Sequence, residues 1–131
     1  MNTVNGRFEV KGTPLDVDDA TKTIGAIRMR FDKQFFGPLQ ARGTVTFLGV
    51  LDKATGSGGY VGLELVEGAL EGRNGAFRLQ HSCAMSRGKQ EQSIAVVPDS
   101  GTGDLMGIKG RMTIDIKENG EHFYTFEYSL A

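Results

Sequence analysis

Apolar and polar residues alternate with a period of two along most of this chain, the spacing of strands that bury one face. From Ile24 to Phe36, Ile27, Met29, Phe31, Lys33 and Phe35 share one parity, while Arg28, Arg30, Asp32 and Gln34 share the other. Lys33 is the only charge on the apolar side. Ile108, Gly110, Met112, Ile114 and Ile116 alternate in the same way with Lys109, Arg111, Thr113, Asp115 and Lys117. Shorter alternations predict strands at Asn5–Lys11 and Gly43–Leu51. Gly37-Pro38 ends the second strand. Gly12–Thr23 reads as a polar connection without regular structure, and Asp52–Gly59 as a flexible Gly/Ser hairpin connection, able to act as a flap at one end of a barrel.

The stretch Gly59–Val97 organises the rest as three antiparallel strands. Asn74-Gly75 is the dipeptide best suited to a type I′ turn. With Arg73 and Ala76 flanking it, Leu70 faces Leu79, Gly68 faces His81, Val66 faces Cys83 and Glu71 faces Arg78 as an ion pair. Val66, Leu70, Phe77, Leu79 and Cys83 then form a buried face that carries Tyr60, Glu64 and His81 with it. Val61, Leu63 and Leu65 fall on the outer face. A second turn at Arg87-Gly88 sets His81 against Ile94 and Leu79 against Val96. Near the C-terminus, a three-residue Glu118-Asn119-Gly120 loop with a left-handed Gly120 keeps the aromatic residues inward, setting Ile116 against Tyr124, Ile114 against Phe126 and Met112 against Tyr128.

About eight strands with regular turn signals and no helical window predict a single all-β domain over residues 1–131. The expected architecture is an antiparallel β-barrel with a central cavity for one small ligand. A two-sheet sandwich is the fallback. The 19 glycines fall mostly where hairpins turn or strands bend. Pro98–Gly110, rich in small residues, predicts a tightly curved link.

Composition narrows the function classes. Fifteen basic against sixteen acidic residues give a formal charge of −1, with no basic run, which argues against nucleic-acid binding. One cysteine, no long apolar run and no charged-then-apolar leader argue against a disulfide framework, a membrane span and a secretion signal. The expected compartment is the cytoplasm. The outward stripe Val61, Leu63 and Leu65 predicts a homo-oligomer, most simply a dimer.

Four kinds of chemistry have candidate residues in this chain. Glu64, His81, Cys83 and His122 are possible metal ligands, but only His81 and Cys83 lie close in sequence, so no metal site is expected. Ser82 and His81 are adjacent and point to opposite faces, which argues against a nucleophile and base. Gly101-Thr102-Gly103 lacks the lysine-hydroxyl pair of a phosphate loop. A carboxylate on an apolar wall is the stronger option, with Glu64 and His81 as candidate catalytic groups and Lys33 as the candidate counter-charge. Tyr60, Lys33, Phe77, Ile94, Met112, Tyr124, Phe126 and Tyr128 are the expected cavity residues. The expected activity is binding of a small hydrophobic or amphipathic molecule without a cofactor. The alternative is a cofactor-free proton-transfer enzyme, an isomerase or cyclase, using the cavity carboxylate as base.

Several strings resemble the bacterial DUF3224 family: Lys33-Gln34-Phe35-Phe36-Gly37-Pro38-Leu39, Tyr60-Val61-Gly62-Leu63-Glu64, Gly72 through Phe77, Leu79-Gln80-His81-Ser82, Val96 through Leu105, and the closing Tyr124-Thr125-Phe126-Glu127-Tyr128. The resemblance runs from about Phe8 to the C-terminus. It implies an allene oxide cyclase-like, calycin-like antiparallel barrel, a fold shared with dirigent proteins. It implies no catalytic residue, because the family has no established reaction. Family members often carry an aromatic residue near Ile94, and isoleucine there implies a larger cavity.

Overall fold

The computed structural model describes residues 1–130. The strands are β1 (Asn2–Leu15), β2 (Ile27–Phe35), β3 (Leu39–Asp52), β4 (Ser57–Leu70), β5 (Arg73–Ser86), β6 (Lys89–Val96), β7 (Thr102–Gly103), β8 (Lys109–Ile116) and β9 (His122–Ser129), with one short helix, α1 (Asp19–Ile24), between β1 and β2. All pairings are antiparallel. Eight strands close in the order β1-β2-β3-β4-β5-β6-β8-β9 and back to β1, and β7 is an extra strand paired with the start of β5. Closure pairs each of the eight barrel strands on both sides, most thinly at the β6–β8 seam, where one residue pair, Ala95 with Arg111, joins the strands.

The alternation fixes which residues face inward, and the turns fix how far each strand slides. The β4–β5 turn is Glu71-Gly72, with φ of +48° and +83°, and not Asn74-Gly75. Val66 therefore meets Phe77 rather than Cys83, a displacement of six residues. Leu70 faces Arg73, Gly68 faces Gly75, and Leu65 faces Arg78, so the expected Glu71–Arg78 pair does not form. An even displacement preserves parity, and the inward face is the expected one. Tertiary contacts select this turn. The Glu71 N–H donates to the Pro38 carbonyl at 2.8 Å, and the Glu71 carboxylate accepts a hydrogen bond from the Tyr128 hydroxyl. Gly75 is needed inside β5, where a Cβ would lie 2.1 Å from the Thr102 carbonyl oxygen of β7.

The other turns follow the sequence more closely. Arg87-Gly88 turns with positive φ and pairs His81 with Ile94 and Leu79 with Val96, as expected. Lys117 and Glu121 close the Glu118-Asn119-Gly120 loop, with Gly120 at φ +88°. The strands beyond it pair two residues tighter than expected, Ile116 with His122, Ile114 with Tyr124 and Met112 with Phe126. The residues after Asp52 form a tight hairpin turn, closed by the Gly56 N–H on the Asp52 carbonyl at 2.9 Å.

The polar connection after Gly12 is more regular than its pattern suggested. β1 runs on to Leu15, and α1 follows with Asp18 as N-cap, its side chain accepting from the Thr21 N–H at 2.8 Å, and with a left-handed Gly25 at the other end. These caps are local signals that a search for apolar periodicity overlooks.

One end of the barrel is solid. Phe35, Leu39, Leu70, Phe77, Phe126 and Tyr128 fill it at 1% exposure or less, and Leu105 and Ile108 from the β7–β8 link plug it at 1% each. Phe77 and Phe126 stack at 5.5 Å, and Phe126 stacks on Tyr128 at the same distance. The Tyr124 hydroxyl donates to the Phe36 carbonyl at 2.9 Å and accepts from the Leu39 N–H at 3.1 Å, tying β9 to the β2–β3 turn. This packed half is the rigid base on which the opposite end is built.

Candidate functional site

The opposite half of the barrel holds a cavity of about 250 Å³ that opens to the surface. Its wall is aromatic and aliphatic, with Phe8 and Val10 from β1, Phe31 from β2, Phe47 from β3, Tyr60 from β4 and Ile114 from β8. Phe31 and Phe47 meet edge to face at 5.4 Å, and Phe47 tilts against Tyr60 at 4.9 Å. Lys33 and His81 also line the cavity. A larger concavity of about 530 Å³ lies over the outer face of β3–β5, along Leu48, Val61 and Leu63, and includes no carboxylate.

Lys33, Glu64 and His81 form one buried polar cluster. The Glu64 side chain has 0% exposure, and those of Lys33 and His81 have 7% each. Glu64 Oε1 accepts from Lys33 Nζ at 3.2 Å and lies 2.7 Å from His81 Nε2. Glu64 Oε2 is buried and has no hydrogen-bond partner among the described residues. It sits over the β3 backbone at Gly43, where any Cβ would lie 2.2 Å from it. Glycine at position 43 is what makes room for the carboxylate. Lys33 Nζ also lies 5.1 Å from the centre of the Phe8 ring, close enough for a cation–π contact.

The electrostatics follow from this geometry. Burial alone would raise the Glu64 pKa, but the His81 hydrogen bond and the Lys33 charge outweigh it and hold the carboxyl below its ordinary range. Tyr60 is half-buried, and burial pushes its phenol up, while the Gln92 side chain donates to its oxygen at 3.0 Å and acts in the opposite sense.

The residues expected from sequence divide into two groups. Lys33, Tyr60 and His81 line the cavity, and Glu64 lies beneath Lys33 and His81 and is bonded to both. Phe77, Ile94, Met112, Tyr124, Phe126 and Tyr128 do not border it: they are buried to 2% exposure or less in the packed core. With Ile94 in that core, the size of its side chain does not set the cavity wall. Inward parity places a side chain inside the barrel but not at a given height along its axis. The wall residues Phe8, Val10, Phe31, Val45, Phe47, Ile114, Ile116 and His122 were not anticipated as cavity residues. Phe47 shares its parity with Val45 on a strand apolar on both faces, so alternation gave no reason to single it out. No cluster of three or more His, Cys, Asp or Glu residues suited to a metal occurs among the described residues.

A family model described as "Protein of unknown function (DUF3224)" matches residues 4–128. The chain belongs to this family. It is also similar to the crystal structure of a DUF3224 protein with unknown function from Shewanella oneidensis MR-1. The two share 42% identity with a TM-score of 0.91, over 100% of this chain and 98% of that one. No curated protein matches the chain. Membership of DUF3224 carries the fold and leaves the reaction open. No described helix is long and apolar enough to cross a membrane.

Proposed function

We propose that this DUF3224 protein binds a small hydrophobic or amphipathic molecule in the open half of its barrel. The observation that carries this reading is the contrast between the two halves. One is packed solid, whereas the other leaves about 250 Å³ between aromatic walls above the buried Lys33–Glu64–His81 cluster. Concave, mostly apolar sites with a few convergent polar groups are the usual form of a small-molecule site. Proton transfer with Glu64 as base is the weaker reading. Lys33 and His81 converge on Oε1 and lower the carboxyl pKa, opposite to the raised value a base at neutral pH needs.

Native mass spectrometry of protein purified without added ligand tests the proposal by revealing a copurified small molecule. Titration with an apolar fluorophore should give one saturable site, and Ile114→Trp, which places a bulky ring in the cavity, should abolish it without unfolding the barrel. Absence of both a copurified molecule and saturable binding would overturn the reading.

A further inference from the structure

We infer that the cavity selects molecules whose single polar end is an uncharged oxygen acceptor, a ketone or aldehyde carbonyl, and that Lys33 is the residue that recognises it. This rests on the binding reading above and names the chemistry of the ligand. The argument is a count of hydrogen-bonding capacity at the polar end of the cavity. An ammonium has three N–H donors. Lys33 uses one on Glu64 Oε1 at 3.2 Å, and its other neighbours are the rings of Phe8 and Phe35 at 5.1 and 5.7 Å. Two donors therefore remain on a side chain that lines the cavity. Tyr60 lines it too, with its oxygen accepting from Gln92 at 3.0 Å and the Cys83 sulfur beside its hydroxyl, so the free donors at this end are chiefly those of Lys33.

Acceptors are scarce by comparison. Glu64 Oε1 already serves both Lys33 and His81, and Oε2 is sealed against Gly43. His81 is engaged through Nε2, which leaves Nδ1 as its one ring nitrogen without a partner among the described residues. The open groups are thus mainly donors, and a ligand that brought another donor, such as an amine, would find few partners and face Lys33 as a like charge. A carboxylate would meet Lys33 favourably but would enter a polar cluster in which Glu64 already balances that charge. A carbonyl takes the free N–H groups of Lys33 without adding a charge to the barrel interior.

Matched bicyclic probes test this: β-tetralone, its hydrocarbon parent tetralin, and the corresponding amine and carboxylic acid, titrated by calorimetry or NMR. The ketone should bind about tenfold more tightly than tetralin, the scale of one hydrogen bond to a charged donor. The carbonyl ¹³C resonance of bound labelled ketone should move as a donated hydrogen bond requires. Because Lys33→Met alone leaves Glu64 buried without its partner, Lys33→Met combined with Glu64→Gln is the informative variant. It should retain tetralin binding and lose the preference for the ketone. Equal binding of ketone and tetralin would overturn the inference while leaving the binding cavity intact. An amine or carboxylate that outbinds the ketone would overturn it as well. If none of the four binds, the cavity reading itself falls, and this inference with it.

Discussion

Replacing Glu64 with glutamine keeps the shape of the side chain and removes the counter-charge of Lys33. Both partners are buried, with side-chain exposures of 0% and 7%. Breaking such a pair by removing one member costs about 3–5 kcal/mol, because the remaining charge is left uncompensated. The low end applies here: Lys33 borders a cavity open to solvent and can recover part of its hydration. About 3 kcal/mol is expected, and a domain of this size loses roughly 4 °C of Tm for each kcal/mol, so Glu64→Gln should melt roughly 10 °C below the parent. Adding Lys33→Met removes the stranded ammonium and should restore part of the loss, as expected for coupled neighbours. Folding lowers the Glu64 pKa, so its contribution is present above the ordinary carboxylate value of 4.5 and is lost as pH falls through the lower, folded value. The gap between parent and Glu64→Gln should therefore shrink in acid and hold steady toward neutral pH. Urea unfolding followed by far-ultraviolet circular dichroism, repeated across that range, measures all of this. A variant within about 1 kcal/mol of the parent at neutral pH, the value of an exposed pair, would refute the reasoning.

Other substitutions examine other parts of the molecule. Gly43→Ala places a methyl 2.2 Å from Glu64 Oε2 and 3.0 Å from the Phe35 ring, and should destabilise by about 1–3 kcal/mol; an unchanged midpoint in urea would show that the carboxylate does not occupy that niche. Gly120→Val forces a β-branched residue to φ +88° and should cost about 1 kcal/mol or more, so a melting curve matching the parent would count against the bulged turn. Val61 and Leu63 are each 53% exposed on the outer face of β4, and a second copy is expected to cover them about a twofold axis. Sedimentation should then report a dimer that Leu63→Lys converts to monomer, and a parent that stays monomeric at micromolar concentration would remove that expectation.

The faces of this barrel were legible from sequence because errors of an even number of residues are invisible to parity. The β4–β5 register was displaced by six residues and the β8–β9 register by two, yet Glu64, His81, Phe77 and Phe126 still point inward. What local sequence did not reveal was which of two good turn dipeptides would be used. Asn74-Gly75 has the better intrinsic preference, but Glu71-Gly72 gains partners from two other strands' neighbourhoods, the Pro38 carbonyl and the Tyr128 hydroxyl. Those partners lie far away in the chain, so no window around the turn contains the information. The same limit governed the cavity: the height of an inward residue depends on registers summed around the barrel, and Met112 and Tyr128 fell in the packed end for that reason.

Inward glycines offered a signal that alternation alone does not use. In a barrel filled by side chains, a glycine on the inward parity leaves a gap that a neighbour or a cavity must occupy. Gly43 shares its parity with Val45, and Gly62 with Tyr60 and Glu64, on two strands that are apolar on both faces, so the pairing registers are needed to place either glycine inward. The first gap is taken by the Glu64 carboxylate and the second borders the cavity directly opposite His81. Curvature accounts for many glycines in this chain, but at these two positions the missing side chain also determines where a charge is buried and where space remains. That converts a compositional excess of glycine into a statement about location: the site lies where inward glycines on adjacent strands meet the inward charged residues, Lys33 on β2 and Glu64 on β4.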